Sequence, residues 1–319
     1  MLNRNAEALF WVGRYTERAE NHARMIDVHY HIGHDSVEDD KSVLQWVRLL
    51  TALGGGADYE ARHDTISKEQ VLAFITLDRQ YVNSLYSCIS KARGNLRTLR
   101  EKLPTELWDM LNGIYLWLCE GEAGALLNES PHQFLKEIKE WMAMFQGVAH
   151  SVMVRENEWH FVESGRLLER AENTLRILQS VGSAITEDRV APYVYLQAVL
   201  KSVSGYQAFR RYYADAVAVE PIMELLLKNG DFPRSVQFSF HGLLEHLKGI
   251  RLEEQGRSAP HSKAIRLAGK AIADLACLEK EDIALMDNAD NVLVGLMKSA
   301  QQIGQAMADS FFRHEEATA

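Results

Sequence analysis

Apolar residues return at three- and four-residue intervals along nearly the whole chain, the spacing that lines one face of an α-helix. In FLKEIKEWMAMFQGVAHSVMV, for example, Phe134, Ile138, Trp141, Met142, Phe145, Val148, Ala149 and Val152 mark one such face. Comparable patterns cover residues 5–32, 42–53, 68–77, 83–103, 104–119, 132–155, 158–182, 192–213, 219–228, 234–256, 261–277 and 280–312, which predicts about twelve helices. No stretch alternates polar and apolar residues as a half-buried strand does, so the expected fold class is all-α. Start signals agree: Ser67 before Lys-Glu-Gln forms a capping box, and Pro104, Pro131, Pro192 and Pro221 sit at or near first turns.

The pattern also repeats. GRYTERAENHAR (13–24) and GRLLERAENTLR (165–176) share eight of twelve positions, 152 residues apart. VLQWV (43–47) matches YLQAV (195–199) at the same offset. Further on, YEA (59–61) matches YQA (206–208), Val71 falls opposite Ile222, and NSL (83–85) falls opposite RSV (234–236). The order is kept, so two related halves are expected, 1–155 and 156–319, packed as one integrated domain about an approximate two-fold axis.

On a helical projection Arg14, Glu17, Arg18, Asn21 and Arg24 fall in one polar stripe, with Thr16, Ala19, Ala23 and Ile26 opposite. The second copy places Arg166, Glu169, Arg170, Asn173 and Arg176 in the same sector, backed by Leu168, Ala171, Leu175 and Leu178. Arg rather than Lys stands at all six basic positions, which suits planar, bidentate recognition of a carboxylate or phosphate. Glu17 and Glu169 would orient the guanidinium groups, and Asn21 and Asn173 would complete the hydrogen bonding. Three readings stay open: a solvated face, a clasp between the halves, or a groove that binds an anion or a partner.

These motifs resemble the alpha-E family of bacterial all-helical proteins, named for its Glu-Arg motif. AEALFWVGRYTERAENHARMIDVHYH is similar to its N-terminal signature, and GRLLERAENTLRIL, LREKLPTELWDMLNGIYLWL and DFPRSV extend the likeness over essentially the whole chain. The resemblance implies association with circularly permuted ATP-grasp proteins and transglutaminase-like cysteine peptidases. It therefore implies an accessory or binding role in peptide or amide ligation, and it marks Glu17, Arg18, Glu169 and Arg170 as signature residues without catalytic roles.

Other chemistry is sparse. Asp27, His31 and Asp35 are successive i, i+4 neighbours within DVHYHIGHD, but a helix end with capping acids and surface histidines accounts for them, and no metal is expected. His29 projects elsewhere, and His241 and His246 share a face poorly. Neither a nucleophile elbow nor a phosphate-binding glycine loop is present, so no cofactor and no autonomous catalysis are expected. An enzyme using Glu17 or Glu169 as general base is the alternative, weakened because surrounding Arg should depress a carboxyl pKa. Asn112, midway along an apolar helix, should need a partner, and a stripe Arg could supply it.

Composition narrows the partners. The 319 residues carry a formal charge of -9, which argues against nucleic acid or an anionic membrane. Cys88, Cys119 and Cys277 lie far apart in no ligand spacing, and the first twenty residues lack the pattern of a secretory peptide, so a cytoplasmic location is expected.

Overall fold

The computed structural model describes residues 3–35, 39–188, 193–214, 217–251, 261–284 and 286–312, and among these it contains helices and no strand. In chain order they are α1 (Asn3–Asp35), α2 (Asp39–Ala52), α3 (Gly56–Glu60), α4 (Lys68–Thr76), α5 (Leu85–Arg97), α6 (Thr105–Cys119), α7 (Gly121–Glu129), α8 (Pro131–Val152), α9 (Asn157–Asp188), α10 (Tyr193–Ser202), α11 (Tyr206–Tyr213), α12 (Val219–Lys228), α13 (Val236–Gly249), α14 (Ser262–Cys277), α15 (Lys280–Ala284) and α16 (Met286–Phe311). Ser67 caps α4 by accepting from the Gln70 N–H, and Pro131 occupies the first turn of α8.

Helices α1 to α8 and α9 to α16 repeat one arrangement. α1 packs against α5 and α8, as α9 packs against α13 and α16; α6 bridges α5 and α8, as α14 bridges α13 and α16. The buried faces match in register. Leu107, Leu111, Ile114 and Leu118 of α6 have the spacing of Ala264, Ala268, Ala271 and Leu275 of α14. The loops before α5 and α13 match as well. Asp78 accepts from the backbone N–H groups of Gln80 and Tyr81, and Asn229 accepts from those of Asp231 and Phe232. Ser84 and Ser235 then cap the helices that follow.

Register differs from the sequence expectation at one place. Helix α2 closes with Gly55 N–H donating to Leu50 O, and α10 closes with Gly205 N–H donating to Leu200 O. Buried Trp46, Leu49, Leu50 and Leu53 therefore correspond to Leu196, Val199, Leu200 and Val203, and Tyr59 corresponds to Phe209. The VLQWV/YLQAV match is displaced by two residues and YEA/YQA by three, because short identities inside apolar helices do not fix a turn. Residues 192–213 divide into α10 and α11 at Ser204, whose φ of 52° breaks the helix, and 280–312 divides into α15 and α16. Helix α3, of five residues, is too short to produce a periodic signal, and α7 buries only Ala123 and Leu127, too few to mark a face.

The two long helices α1 and α9 form the most extensive packing in the molecule. Equivalent positions meet, which requires the helices to run in the same direction. Gly13 lies against Val162 and Arg166, and Gly165 lies against Phe10 and Arg14. A Cβ at Gly13 would stand 2.0 Å from Val162 O, and one at Gly165 would stand 2.0 Å from Phe10 O. Only glycine permits this approach of backbone to backbone.

Two predictions follow from the packing. Gly13→Ala or Gly165→Ala must force the seam apart, so either should abolish cooperative folding or cost several kcal/mol, roughly the range of severe core overpacking. Gly94→Ala, on an exposed helical position with nothing within 4 Å, should instead stabilise by about 0.5–1 kcal/mol; urea unfolding of the three variants checks the contrast. Ser204 stands where the first half has Gly54, φ 70°, and both are left-handed. Ser204→Gly relieves this strain but removes the exposed Oγ that accepts from Arg24, so thermal denaturation should show a net change within about 1 kcal/mol of zero.

Candidate functional site

The Glu-Arg dipeptides of the two stripes lie one turn after the glycine contact, and the parallel seam sets them face to face. Arg170 donates through Nε and Nη2 to the two oxygens of Glu17 at 2.7 and 2.8 Å. Arg18 mirrors it, donating to the two oxygens of Glu169 at 2.7 and 2.9 Å. Each half thus lends its Glu to the Arg of the other. Asn21 and Asn173 donate back to Glu17 and Glu169 on their own helices. Both glutamates are 0% exposed, so the exchange is a desolvated pair of bidentate ion pairs.

The outer members depart from two-fold symmetry. Arg14 crosses the seam to Glu172 at 3.0 and 2.9 Å and also stands 2.6 Å from Glu169, whereas Arg166 turns back to Glu163 on its own helix. Trp11 occupies the position equivalent to Glu163 and lies beneath the Arg14 guanidinium. Glu20 is met by Arg234 from the loop before α13, by Arg24 and by Gln146 of α8. The counterpart of Arg234 is Asn83, which accepts from Arg18 at 2.8 Å. Arg24 reaches Ser204, and Arg176 pairs with Glu172 and Asn173.

The structure therefore brings Arg14, Glu17, Arg18, Asn21, Arg24, Glu169, Arg170, Asn173 and Arg176 into one network, with Arg166 joined to it through a 3.9 Å contact to Glu17. Sequence reasoning missed Arg234, Asn83, Gln146 and Glu163 as members. Arg234 left a signal, since RSV repeats NSL, but Gln146 lies on the polar margin of an amphipathic helix and left none.

Electrostatics follow from this crowding. Burial pushes the Glu17 carboxyl up, but the charges of Arg170, Arg234 and Arg166 and the Arg170 hydrogen bond prevail and hold its pKa at about 2. Glu169 is likewise opposed by burial and held well below the carboxylate range by Arg14 and Arg18. His22, buried beside Arg18, is lowered to about 3 and is neutral. The Cys88 thiol, buried, is pushed up to about 12, which removes it as a nucleophile at neutral pH.

Other sequence candidates resolve differently. Asn112 is half-buried and accepts from the half-buried Arg93 of α5 at 2.9 Å rather than from a stripe Arg, because α6 lies away from the seam. His29 faces Met25 O, and His246 contacts His160 with ring nitrogens 3.0 Å apart, while His241 is exposed. Asp27 and His31 lie near each other and meet His132 and Lys139 of α8. The Asp35 side chain lies outside the described residues.

Glu17→Gln leaves three guanidinium groups facing a neutral amide and should cost about 3–5 kcal/mol in urea unfolding, the range for breaking one side of a buried pair. The pH dependence has a definite sign. The folded pKa lies below the ordinary 4.5, so the stabilisation is complete above that value and is lost as pH falls toward 2. The wild type should lose roughly 3 kcal/mol over this window on account of Glu17, and the Glu17→Gln variant should lack that component.

No solved structure matches the chain closely enough to be counted a relative. An uncharacterized protein of Mycobacterium bovis and one of Mycobacterium tuberculosis are each 26% identical to it over 265 residues. The match covers 76% of this chain but 29% of either relative, so the chain spans less than a third of their length. A family model described as a predicted alpha-helical domain with a conserved ER motif matches residues 1–312. The Glu17–Arg18 and Glu169–Arg170 dipeptides at the seam are two copies of such a motif, and the chain belongs to the Alpha-E family.

Proposed function

We propose that this chain is an accessory protein of an ATP-grasp-linked peptide or amide ligation system, that its Glu-Arg stripes clasp the two halves together, and that its outer surface engages the partner enzyme. The observation that carries the clasp is the exchange of bidentate pairs between Glu17 and Arg170 and between Glu169 and Arg18. Carboxylates that are fully buried and held in the charged form by several guanidinium groups make poor general bases at neutral pH, which weighs against a catalytic Glu. The mycobacterial relatives support work alongside other polypeptide, since the matching segment is 29% of a longer chain there. The circularly permuted ATP-grasp protein and the transglutaminase-like peptidase enter as partners through the family resemblance.

A second reading keeps an anion-binding role for the stripes. Seven guanidinium groups, those of Arg14, Arg18, Arg24, Arg166, Arg170, Arg176 and Arg234, meet five carboxylates, an excess of two positive charges. Arg24 and Arg176 retain 24% and 34% exposure at the margins, where a phosphate or an acidic peptide could join them.

Both readings are tested with a circularly permuted ATP-grasp protein of the kind the family resemblance implies. The helical chain alone should release no ADP from ATP, should co-elute with the ATP-grasp protein in size-exclusion chromatography, and should raise that protein's amine-dependent ADP release several-fold. Failure to co-elute together with unchanged ADP release would sink the accessory role. Saturable binding of phosphate or a Glu-rich peptide, lost in Arg24→Ala/Arg176→Ala while folding is retained, would favour the anion site.

A further inference from the structure

At the end of α1 far from Gly13, three potential metal-donor atoms converge. His132 Nδ1 lies 2.7 Å from Asp27 Oδ1 and 3.1 Å from His31 Nε2, and His31 Nε2 lies 3.6 Å from Asp27 Oδ1. The imidazole rings are 4.8 Å apart and inclined by 63°, so their nitrogens are directed into one small space. Among the described residues this is the group of His, Cys, Asp and Glu side chains whose donors lie close enough together to share an ion.

We propose that Asp27, His31 and His132 form a binding site for a divalent first-row transition ion, with zinc the ion it would take most readily. A tetrahedral zinc with bonds of about 2.0–2.1 Å holds its ligand atoms about 3.3 Å from one another, and the three separations bracket that value. Without an ion the cluster is poorly matched. His132 Nδ1 has either one proton or one lone pair to divide between a carboxylate oxygen and a second ring nitrogen, whereas an ion accepts all three lone pairs together.

The surroundings refine the choice. Lys139 donates to the other oxygen of Asp27 at 2.6 Å, which fixes the carboxylate with Oδ1 turned toward the imidazoles. With one carboxylate partly compensated by this ammonium and two imidazoles, the donor set is too poor in oxygen for calcium or magnesium and suits zinc, cobalt, nickel or copper. Asp27 is buried, while the His31 and His132 side chains are 55% and 48% exposed. The site thus opens to solvent on the histidine side, as in centres that keep a coordination position for water or a further ligand rather than in closed structural sites.

The cluster is also absent from the repeat. Gln179 and Ser183 stand 152 residues beyond Asp27 and His31, and neither pairs an imidazole with a carboxylate. The site joins α1 to the first turn of α8, and it stands whether or not the ligation reading does.

The test is titration of chelator-dialysed protein with zinc chloride by calorimetry, with thermal denaturation in parallel. One equivalent should bind per chain with micromolar or tighter affinity, accompanied by a rise in Tm. His31→Ala and His132→Ala, both at exposed positions, should fold normally by circular dichroism and each bind zinc at least tenfold more weakly. His246→Ala, in the other paired-imidazole cluster, should bind as the wild type does. Absence of saturable binding, or stoichiometric binding that survives both His31→Ala and His132→Ala, would overturn the site.

Discussion

The packing of α1 on α9, the most extensive among the described helices, depends on two glycines that let them touch backbone to backbone. Once the helix axes are that close, the turn that follows has room only for side chains that reach across and fill the seam. It is flanked by apolar residues on both sides, so polar groups placed there must satisfy one another. Glu17, Arg18, Glu169 and Arg170 do this by exchange, each carboxylate taking both forks of the guanidinium opposite. The desolvation that makes such pairs costly also makes them selective for register. Sliding one helix by a residue would leave charges buried and unpaired, a far larger penalty than any apolar mismatch at the same place.

Duplication within a single chain gives this seam a freedom that a homodimer lacks, because the two copies can diverge separately. The centre has kept its symmetry, while the periphery has not. Arg14 crosses and Arg166 does not; Trp11 lies opposite Glu163; Arg234 supplies a charge where Asn83 supplies an amide. These changes compensate one another. Glu20, deprived of Arg166, is served by Arg234 and Gln146, and Arg166 finds a carboxylate that the first half does not carry.

The helical class and the stripes were legible because both rest on local periodicity over long segments. Pairing between the stripes was not, since a projection places Arg and Glu on one face without revealing what faces them. The positions of Arg234 and Gln146 depend on how α13 and α8 dock, which is a property of whole helices. Register in α2 and α10 was misread for a related reason: apolar helices offer many short matches, and only the turn at Gly54 and Ser204 fixes which is structural. The meeting of Asp27 and His31 with His132 needed the antiparallel return of α8, for which the sequence carries no local sign.

The parallel course of α1 and α9 has a consequence for the route of the chain. Parallel first helices place the opening of α1 and the connection before α9 at one end, and Phe312, beyond the close of α16, lies 5.4 Å from Phe10 at that same end. Arg4, Glu101 and Lys102 gather there, and Glu101 and Lys102 share a surface depression with Val154 and Glu156. Entry and exit of each eight-helix unit thus share one pole, and the link from α8 to α9 is made there.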